Sequence, residues 1–409
     1  MLQFLQSILL RLLDLHFYYL KENKKISDLL FFIPLCCMFF LSYLTYWNLT
    51  SDTEVFGYYA YLEFFSFYRA LKPIFLVVIL IKVFFFSEYS KKQLLSIGIC
   101  LLAVSLLCRF FYPNYYFLYM VSFCLAAKGV TYKRISKVYF GLAVGTFLLT
   151  LAAFMYGIVT DSIVLRGDRV RHSLGLVHPN SLGMWGFLIV VYYLQYKQSD
   201  ARNKDYIIML IFNIILFNIT NSRASFALCA LVMLASFFVQ HNKNNTMLKT
   251  ASIIMLTVTL SAGLIWLILC AIYHPESYLY QLLDRLFSGR IRLCHAAVTD
   301  YPPSFWGHNI HFPYYVDPLF TYTLVIYGYV GLGIFLSFFY YGAIRSFRKK
   351  LPFLLIAFMA FQLYNMQENV FLYHIFDLTL FATTCDLSDS ISYSHLIRSK
   401  IRTLTEFNS

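Results

Sequence analysis

The sequence predicts an all-α polytopic membrane protein with about twelve transmembrane helices, two long loops on its outer face and both termini in the cytoplasm. Composition is the first observation behind this expectation. Hydrophobic residues make up 60% of the 409 residues and charged residues 13%, against about 25% charged in an ordinary soluble domain. The second is that apolar runs of the length needed to cross a bilayer, roughly 20 residues, recur from end to end. The third is that basic residues fall in alternate connections, as the positive-inside tendency requires. A transmembrane barrel would instead show short segments of alternating polarity, and the sequence has none.

The N-terminal segment 1–28 opens MLQFLQSILLRLLDLHFYYLKENKK. Arg11, Asp14 and His16 interrupt its apolar part and no small-residue cleavage site follows, so it reads as an amphipathic helix on the cytoplasmic surface rather than a cleaved signal. The first five spans are expected at 29–47, 67–86, 93–111, 114–131 and 138–157, within residues 29–157. Lys72 and Lys82 lie near the ends of the second, where long side chains snorkel. The acidic, aromatic stretch 48–66 is expected to form an interfacial cover, and Pro113-Asn114 a tight turn. After the outer loop 158–179 come four spans within 180–272, at 180–196, 206–220, 224–240 and 250–272. The outer loop 273–318 precedes the last three, at 319–340, 351–366 and 370–386, and 387–409 forms a cytoplasmic tail.

Orientation follows from charge. Arg11 and the clusters at 21–25, 91–92, 128–137, 197–204, 243–249, 345–350 and 398–402 share one face, with fifteen Lys and seven Arg. The opposite face carries Arg69, Lys72, Arg109, Arg166, Arg169, Arg171, Arg223, Arg285, Arg290 and Arg292. Topology does not distinguish Arg from Lys. Bidentate recognition of phosphate or carboxylate does, so an outer face almost purely of arginine points to an anionic ligand there, beyond simple headgroup anchoring. The net charge of +13 thus reports cytoplasmic lysines, and no nucleic-acid partner is expected. Eight of the nine cysteines lie in apolar segments; Cys294 alone lies in a loop, with no CxxC pattern, so neither a disulfide framework nor a metal site is expected.

Four stretches can carry chemistry. In 166–186, Arg166, Arg169 and Arg171 precede a helix start at Pro179-Asn180-Ser181, where proline and a capping side chain fit the first turn. A helix N-terminus beside three arginines makes a diphosphate cradle, with His178 either at its entrance or bonding the helix end. In TNSRAS, 220–225, Arg223 sits between small hydroxyl residues. The stretch 284–333 breaks the apolar character with Arg285, Arg290 and Arg292, with His295, His308 and His311, and with Asp284, Asp300 and Asp317. So many ionisable groups in one loop mark the working face of a membrane enzyme, with His308, His311 or Asp317 as base or as loop-stabilising groups. In 367–369, Glu368 is the only acid of a tight outer connection. Buried there, it has a raised pKa unless an arginine pairs with it, and serves either as base or as that arginine's partner.

Taken together, RHSLGLVHPNSLG (171–183), TNSRAS (220–225), SGR (288–290) and WGHN…VDPLFTYTLVIYGYVGLG (306–333) resemble the polysaccharide polymerase and ligase superfamily, specifically the Wzy-type O-antigen or capsule repeat-unit polymerases. His172, ten residues and then Gly183 also resemble the His/Arg-x10-Gly pattern of those enzymes' outer loops. Pro318 after Asp317 departs from the usual polar residue. The resemblance, over about 160–385, implies an oligosaccharide repeat unit on undecaprenyl diphosphate as substrate, in a multi-pass cell-membrane enzyme that joins such units into a surface polysaccharide. It further implies a flippase and a chain-length regulator as partners, besides membrane lipid. In that setting Arg166, Arg169, Arg171, Arg223, Arg290 and Arg292 are the expected diphosphate ligands. His172, His178, Asn180 and Asn309 are expected to position substrate, and His308, Glu368 or Asp317 to act as base. A diphosphate leaves without a carboxylic acid to protonate it, unlike a glycosidase's leaving group. No metal-binding cluster is visible in the sequence, so neither metal nor cofactor is expected. A ligase with the same donor, or a flippase for lipid-linked oligosaccharides, remains the alternative. A flippase should carry its charges along a central cavity within the spans.

Overall fold

The computed structural model describes residues 23–49, 54–112, 114–242, 244–310, 312–368 and 374–392, with the backbone alone for 54–65 and 374. The expected surface helix before residue 23, the tail beyond 392, Pro113 and His311 lie outside the described residues.

The helices are α1 Lys24–Leu44, α2 Glu54–Phe86, α3 Lys91–Phe110, α4 Tyr116–Ala126, α5 Tyr132–Met155, α6 Pro179–Lys197, α7 Asn203–Thr220, α8 Arg223–His241 and α9 Asn245–Ala271. Then follow α10 Tyr278–Leu286, α11 Arg290–Asp300, α12 Leu319–Arg348 and α13 Pro352–Asn365. Seven of these, α1, α3, α5, α7, α8, α9 and α12, are long and apolar enough to cross a membrane, while α4 and α13 are shorter apolar helices. The protein is therefore a mostly helical, multi-pass membrane protein.

Two helices are enclosed by the rest. α13 is buried along nearly its whole length, and α6 along most of its own. A helix apolar on all sides belongs in the middle of a bundle. α6 packs on α5, α7, α8 and α13, and α13 on α9, α8 and α12. Around Trp185 of α6, the rings of Phe39, Tyr43 and Phe376 pack edge to face, the geometry that aromatic quadrupoles favour. Where α6 meets the start of α8, a side chain on Gly183 would run into Ser222 Cβ at 2.6 Å. Glycine is what lets these two elements touch.

Four expectations are revised. The stretch 54–66 is not an interfacial loop; its backbone is helical and continuous with α2. The loop 158–179 contains an antiparallel hairpin, β1 Val164–Arg166 with β2 Arg169–Arg171. The loop 273–318 contains α10 and α11, and α10 is amphipathic, with Tyr278, Leu279 and Leu286 exposed.

The fourth concerns 370–386, expected as a continuous span. Its described residues form two 3₁₀ segments, His374–Phe376 and Leu378–Thr383. Non-α backbone within a bundle is tolerated only where other groups satisfy its carbonyls. Here Tyr139 Oη donates to Ile375 O at 2.6 Å and Tyr192 Oη to Phe376 O at 2.5 Å. Arg345 donates to Ala382 O at 2.6 Å and to Cys385 O at 3.0 Å.

A second irregularity lies in α12, which breaks at Gly328 (φ 68°, ψ −171°). The N–H groups of Tyr329 and Val330, orphaned at the start of its second half, donate to Ser304 O and Phe305 O at 3.1 and 3.2 Å. His308 N–H in turn donates to Val325 O at 2.9 Å. The loop 304–308 thus plugs the break. A Cβ on Gly307 would lie 2.2 Å from Ile326 O, and one on Gly328 2.4 Å from Gly307 N, so both positions must be glycine.

The ends of the bundle differ in charge. Asp28 pairs with Arg134, Asp200 with Lys133, and Thr131 bridges Asp386, gathering lysine-rich connections at one end. At the other, Trp47 bridges Leu176, Arg166 bonds Ser288, and Asn180 bonds Glu368, gathering the arginine-rich ones.

Candidate active site at the arginine-rich end

The central position of α6 and α13 decides the site. The start of α6 and the residues just past α13 emerge together at the arginine-rich end. His178 caps α6, its Nδ1 accepting from Asn180 N–H at 3.0 Å, with Pro179 in the first turn. Asn180 Nδ2 donates to Glu368 Oε1 at 3.1 Å. The same oxygen meets Arg290 Nη2 at 2.6 Å, and that nitrogen lies 3.4 Å from Asp317 Oδ2. Arg290 is the first residue of α11 and reaches the site across a left-handed turn at Ser288-Gly289 (φ 57° and 82°).

On the other flank the hairpin delivers two arginines. Arg171 donates to Thr220 O at 2.6 Å and to Asn180 Oδ1 at 2.5 Å; Arg166 donates to Ser288 Oγ at 2.8 Å. One polar chain therefore runs from Thr220 through Arg171, Asn180, Glu368 and Arg290 to Asp317. A hydroxyl series, Ser222, Ser225 and Tyr364, lies alongside at 3.0 and 3.1 Å.

Most of these groups, though not Thr220 or Ser225, line a cavity of about 1140 Å³ whose wall includes Arg166, Arg171, Arg223, Arg285 and Arg290 with only Asp317 and Glu368 opposed to them. The excess is positive. The side chains of Arg223 and Arg285 make no hydrogen bond or ion pair among the described residues, and Arg290 Nε–H is buried without an acceptor there. Burial, and then the like charges of Arg223 and Arg290, lower the pKa of Arg166. Burial and Arg166 do the same to Arg171, against Glu368. Guanidinium remains charged in proteins, so the wall keeps an excess of positive charge that an anion in the cavity would offset.

Burial pushes the Glu368 carboxyl up to about 7; Arg290 opposes the rise and Asp317 adds to it. Such a carboxylate takes up a proton near neutral pH, the property of a general base. His178 behaves differently. Burial, then Arg171, lower its pKa, so the ring is neutral, and with Nδ1 accepting from Asn180 its proton sits on Nε2. It can donate into the cavity but not act as base through that nitrogen.

Of the residues singled out from the sequence, the cavity brings together Arg166, Arg171, Arg223, Arg290, His178, Asn180, Asp317 and Glu368. Arg169 and Arg292 are exposed and do not line it. His308 and Asn309 are also outside its wall. The imidazole of His308 is held by the loop, with Nε2 2.8 Å from Pro302 O. His172 faces away as well, with Nδ1 2.5 Å from Asp161 Oδ2. Burial raises the Asp161 carboxyl, but His172 and the N–H groups of Ser173 and Leu174 outweigh it and hold it below the usual range. Sequence reasoning missed Asp161 and did not single out Arg285 as a ligand. Arg285's signal was its place in an amphipathic helix, three residues after Leu282, which shares the cavity wall.

No family model, no curated protein and no solved structure matches the chain.

Proposed function

We propose that the protein is a glycan polymerase that joins polyprenyl-diphosphate-linked oligosaccharide units, undecaprenyl diphosphate being the carrier that the sequence resemblance implies. The arginine-rich end faces the outside of the cell membrane in this reading. One observation carries it: Glu368, with its raised pKa, lies on the wall of a cavity whose arginines outnumber its acids and keep donors to spare.

The donor's diphosphate sits against Arg166, Arg223 and Arg285, the guanidiniums not committed to Asn180 or to a carboxylate. Arg171 and Arg290 organise the polar chain, and the Arg290 Nε–H adds a donor. A hydroxyl of the incoming unit's terminal sugar attacks the anomeric carbon of the growing chain. Glu368 takes the hydroxyl proton, the new glycosidic bond forms, and the bond from the anomeric carbon to the phosphate oxygen breaks. The carrier departs as its diphosphate, and its developing charge is met by preorganised positive donors, usually the largest single contribution to such catalysis. A single displacement inverts the anomeric centre. Asp317, 3.4 Å from Arg290, tunes the pair rather than taking the proton.

The test is deletion of the gene, with surface glycan run on a gel after complementation by wild type and by Glu368→Gln. Surface glycan limited to single units in the deletion and in the variant, with normal length restored by wild type, is the expected result. Lipid-linked units stranded on the cytoplasmic face in the deletion would instead make the protein a flippase and overturn the proposal.

A further inference from the structure

We infer that Asp161 is a positioning residue: its carboxylate locks the turn that aims both arms of the cavity, the arginine hairpin and the start of α6. The inference rests on the proposed function for its consequence in catalysis, but not for its geometry.

The hairpin and the α6 start are joined by Ser173-Leu174-Gly175, a sharp reversal in which Leu174 (φ 49°) and Gly175 (φ 98°) are both left-handed. For leucine that conformation is unfavourable, because Cβ crowds the following carbonyl oxygen, and it persists only where surroundings over-determine it. Asp161 does this from before the hairpin. Its Oδ1 accepts from Ser173 N–H at 2.7 Å, Leu174 N–H at 3.0 Å and Ser173 Oγ at 3.2 Å. Its Oδ2 holds His172 Nδ1 at 2.5 Å. Ser162 N–H donates to Ser173 Oγ at 2.7 Å, closing the base of the hairpin.

Two residues before the reversal stands Arg171, and five residues before that Arg166. Two residues after it, Val177 N–H donates to Tyr46 O at 2.8 Å and the chain enters the His178 cap. A single carboxylate thus sets the direction in which Arg166 and Arg171 leave on one side and His178 and Asn180 on the other. Asp161 does not itself line the cavity; whatever it does for the reaction it does through these side chains. A misplacement of about 1 Å at a reacting centre can lower a rate 10²-fold, so such a clamp matters without touching substrate.

The experiment uses the purified full chain and two independent readouts, amide hydrogen exchange across 160–178 and polymerisation of lipid-linked units. Asp161→Ala is expected to speed exchange at Ser173 and Leu174 at least tenfold and to lower polymerisation at least tenfold. Asp161→Asn keeps an oxygen acceptor for both amides and is expected to stay within a few-fold of wild type in both. An Asp161→Ala/Arg166→Ala double variant should lose less than the two single losses combined, because part of the effect of Asp161 acts through Arg166. Unchanged exchange in Asp161→Ala, wild-type polymerisation by it, or full additivity with Arg166→Ala would each overturn the inference. Should Asp161→Ala fail to fold, Ser173→Ala removes the two hydrogen bonds of the Ser173 hydroxyl, to Asp161 and from Ser162 N–H, and must speed Leu174 exchange instead. If wild type itself does not polymerise, the proposed function fails while the exchange data still decide whether Asp161 holds the turn.

Discussion

Arg290 and Glu368 lie 78 residues apart in the chain and meet at 2.6 Å, Nη2 to Oε1, with Asn180 bonding the same carboxylate oxygen at 3.1 Å. The contact joins the first residue of α11 to the connection after α13, with the start of α6 as third partner. Around this pair the cavity's charges are arranged.

Replacement of Glu368 by Gln should remove the base while leaving an oxygen for Arg290 and Asn180. General bases contribute about 10²–10⁴-fold, so polymerisation in vitro should fall by at least about 100-fold with the folded yield unchanged. Retention of more than a tenth of wild-type activity would assign the proton to another group.

The pH profile follows from the same residue. Its folded-state pKa of about 7 exceeds the ordinary 4.5, so the native state binds more protons than the unfolded chain between these values. Stability therefore declines as pH rises through that window. Activity runs the opposite way, rising with pH as Glu368 ionises. Asp317 is one of the groups that raise Glu368, so Asp317→Asn should shift the acidic limb of the rate profile to lower pH. A shift to higher pH, or none, would separate Asp317 from Glu368.

The arginines divide by position. Arg166→Ala, Arg223→Ala and Arg285→Ala should each lower turnover by about 10²-fold, the range for losing one preorganised donor. Arg169→Ala and Arg292→Ala, exposed and off the cavity wall, should stay within about twofold, as surface substitutions do. Lysine at the first three positions should restore part of the loss, since charge returns but the bidentate fork does not. Assay of these single variants, Arg285→Lys included, at one protein level decides it.

Gly328→Ala should be strongly destabilising, by about 3 kcal/mol from overpacking and a left-handed side chain. The new Cβ would stand 2.4 Å from Gly307 N and 2.6 Å from Phe305 O, backbone atoms that cannot swing aside. Gly333→Ala, with open space around its Cβ, is the control. Thermal unfolding in detergent reads the difference.

Phe376 O has the Tyr192 hydroxyl as donor in place of an α-helical N–H. Tyr192→Phe removes that donor and should cost about 0.5–1.5 kcal/mol, the net contribution of one hydrogen bond, again read by thermal unfolding. A null effect would mean that another donor reaches that carbonyl.

Much of this was legible in the chain. Hydropathy depends on residues close in sequence, so each apolar run from 29–47 to 351–366 falls on a helix. The same reading marked 370–386 as a span, because composition reports that a segment is buried and not how its carbonyls are satisfied. Tyr139, Tyr192 and Arg345, distant in sequence, allow 3₁₀ backbone there. The concentration of arginine at one end was likewise a property of composition and alternation, and Arg166, Arg171, Arg223 and Arg290, which it singled out, line the cavity.

What the sequence determined by itself, then, was a helical membrane protein with one arginine-rich end and a short list of residues there. Tertiary structure alone decided which of them converge. His308 and Arg292 share the loop that bears Arg290 and are no less polar, yet the plugged break in α12 and the far side of α11 keep them off the cavity wall. Glu368 joins Arg290 and Asn180 because α6 and α13 are the enclosed helices and end at the same level. Asp161 gains its role from a chain reversal twelve residues downstream. Local sequence carries hydrophobicity and charge sign, which act residue by residue; pairing and pKa depend on distances that only the packed chain sets.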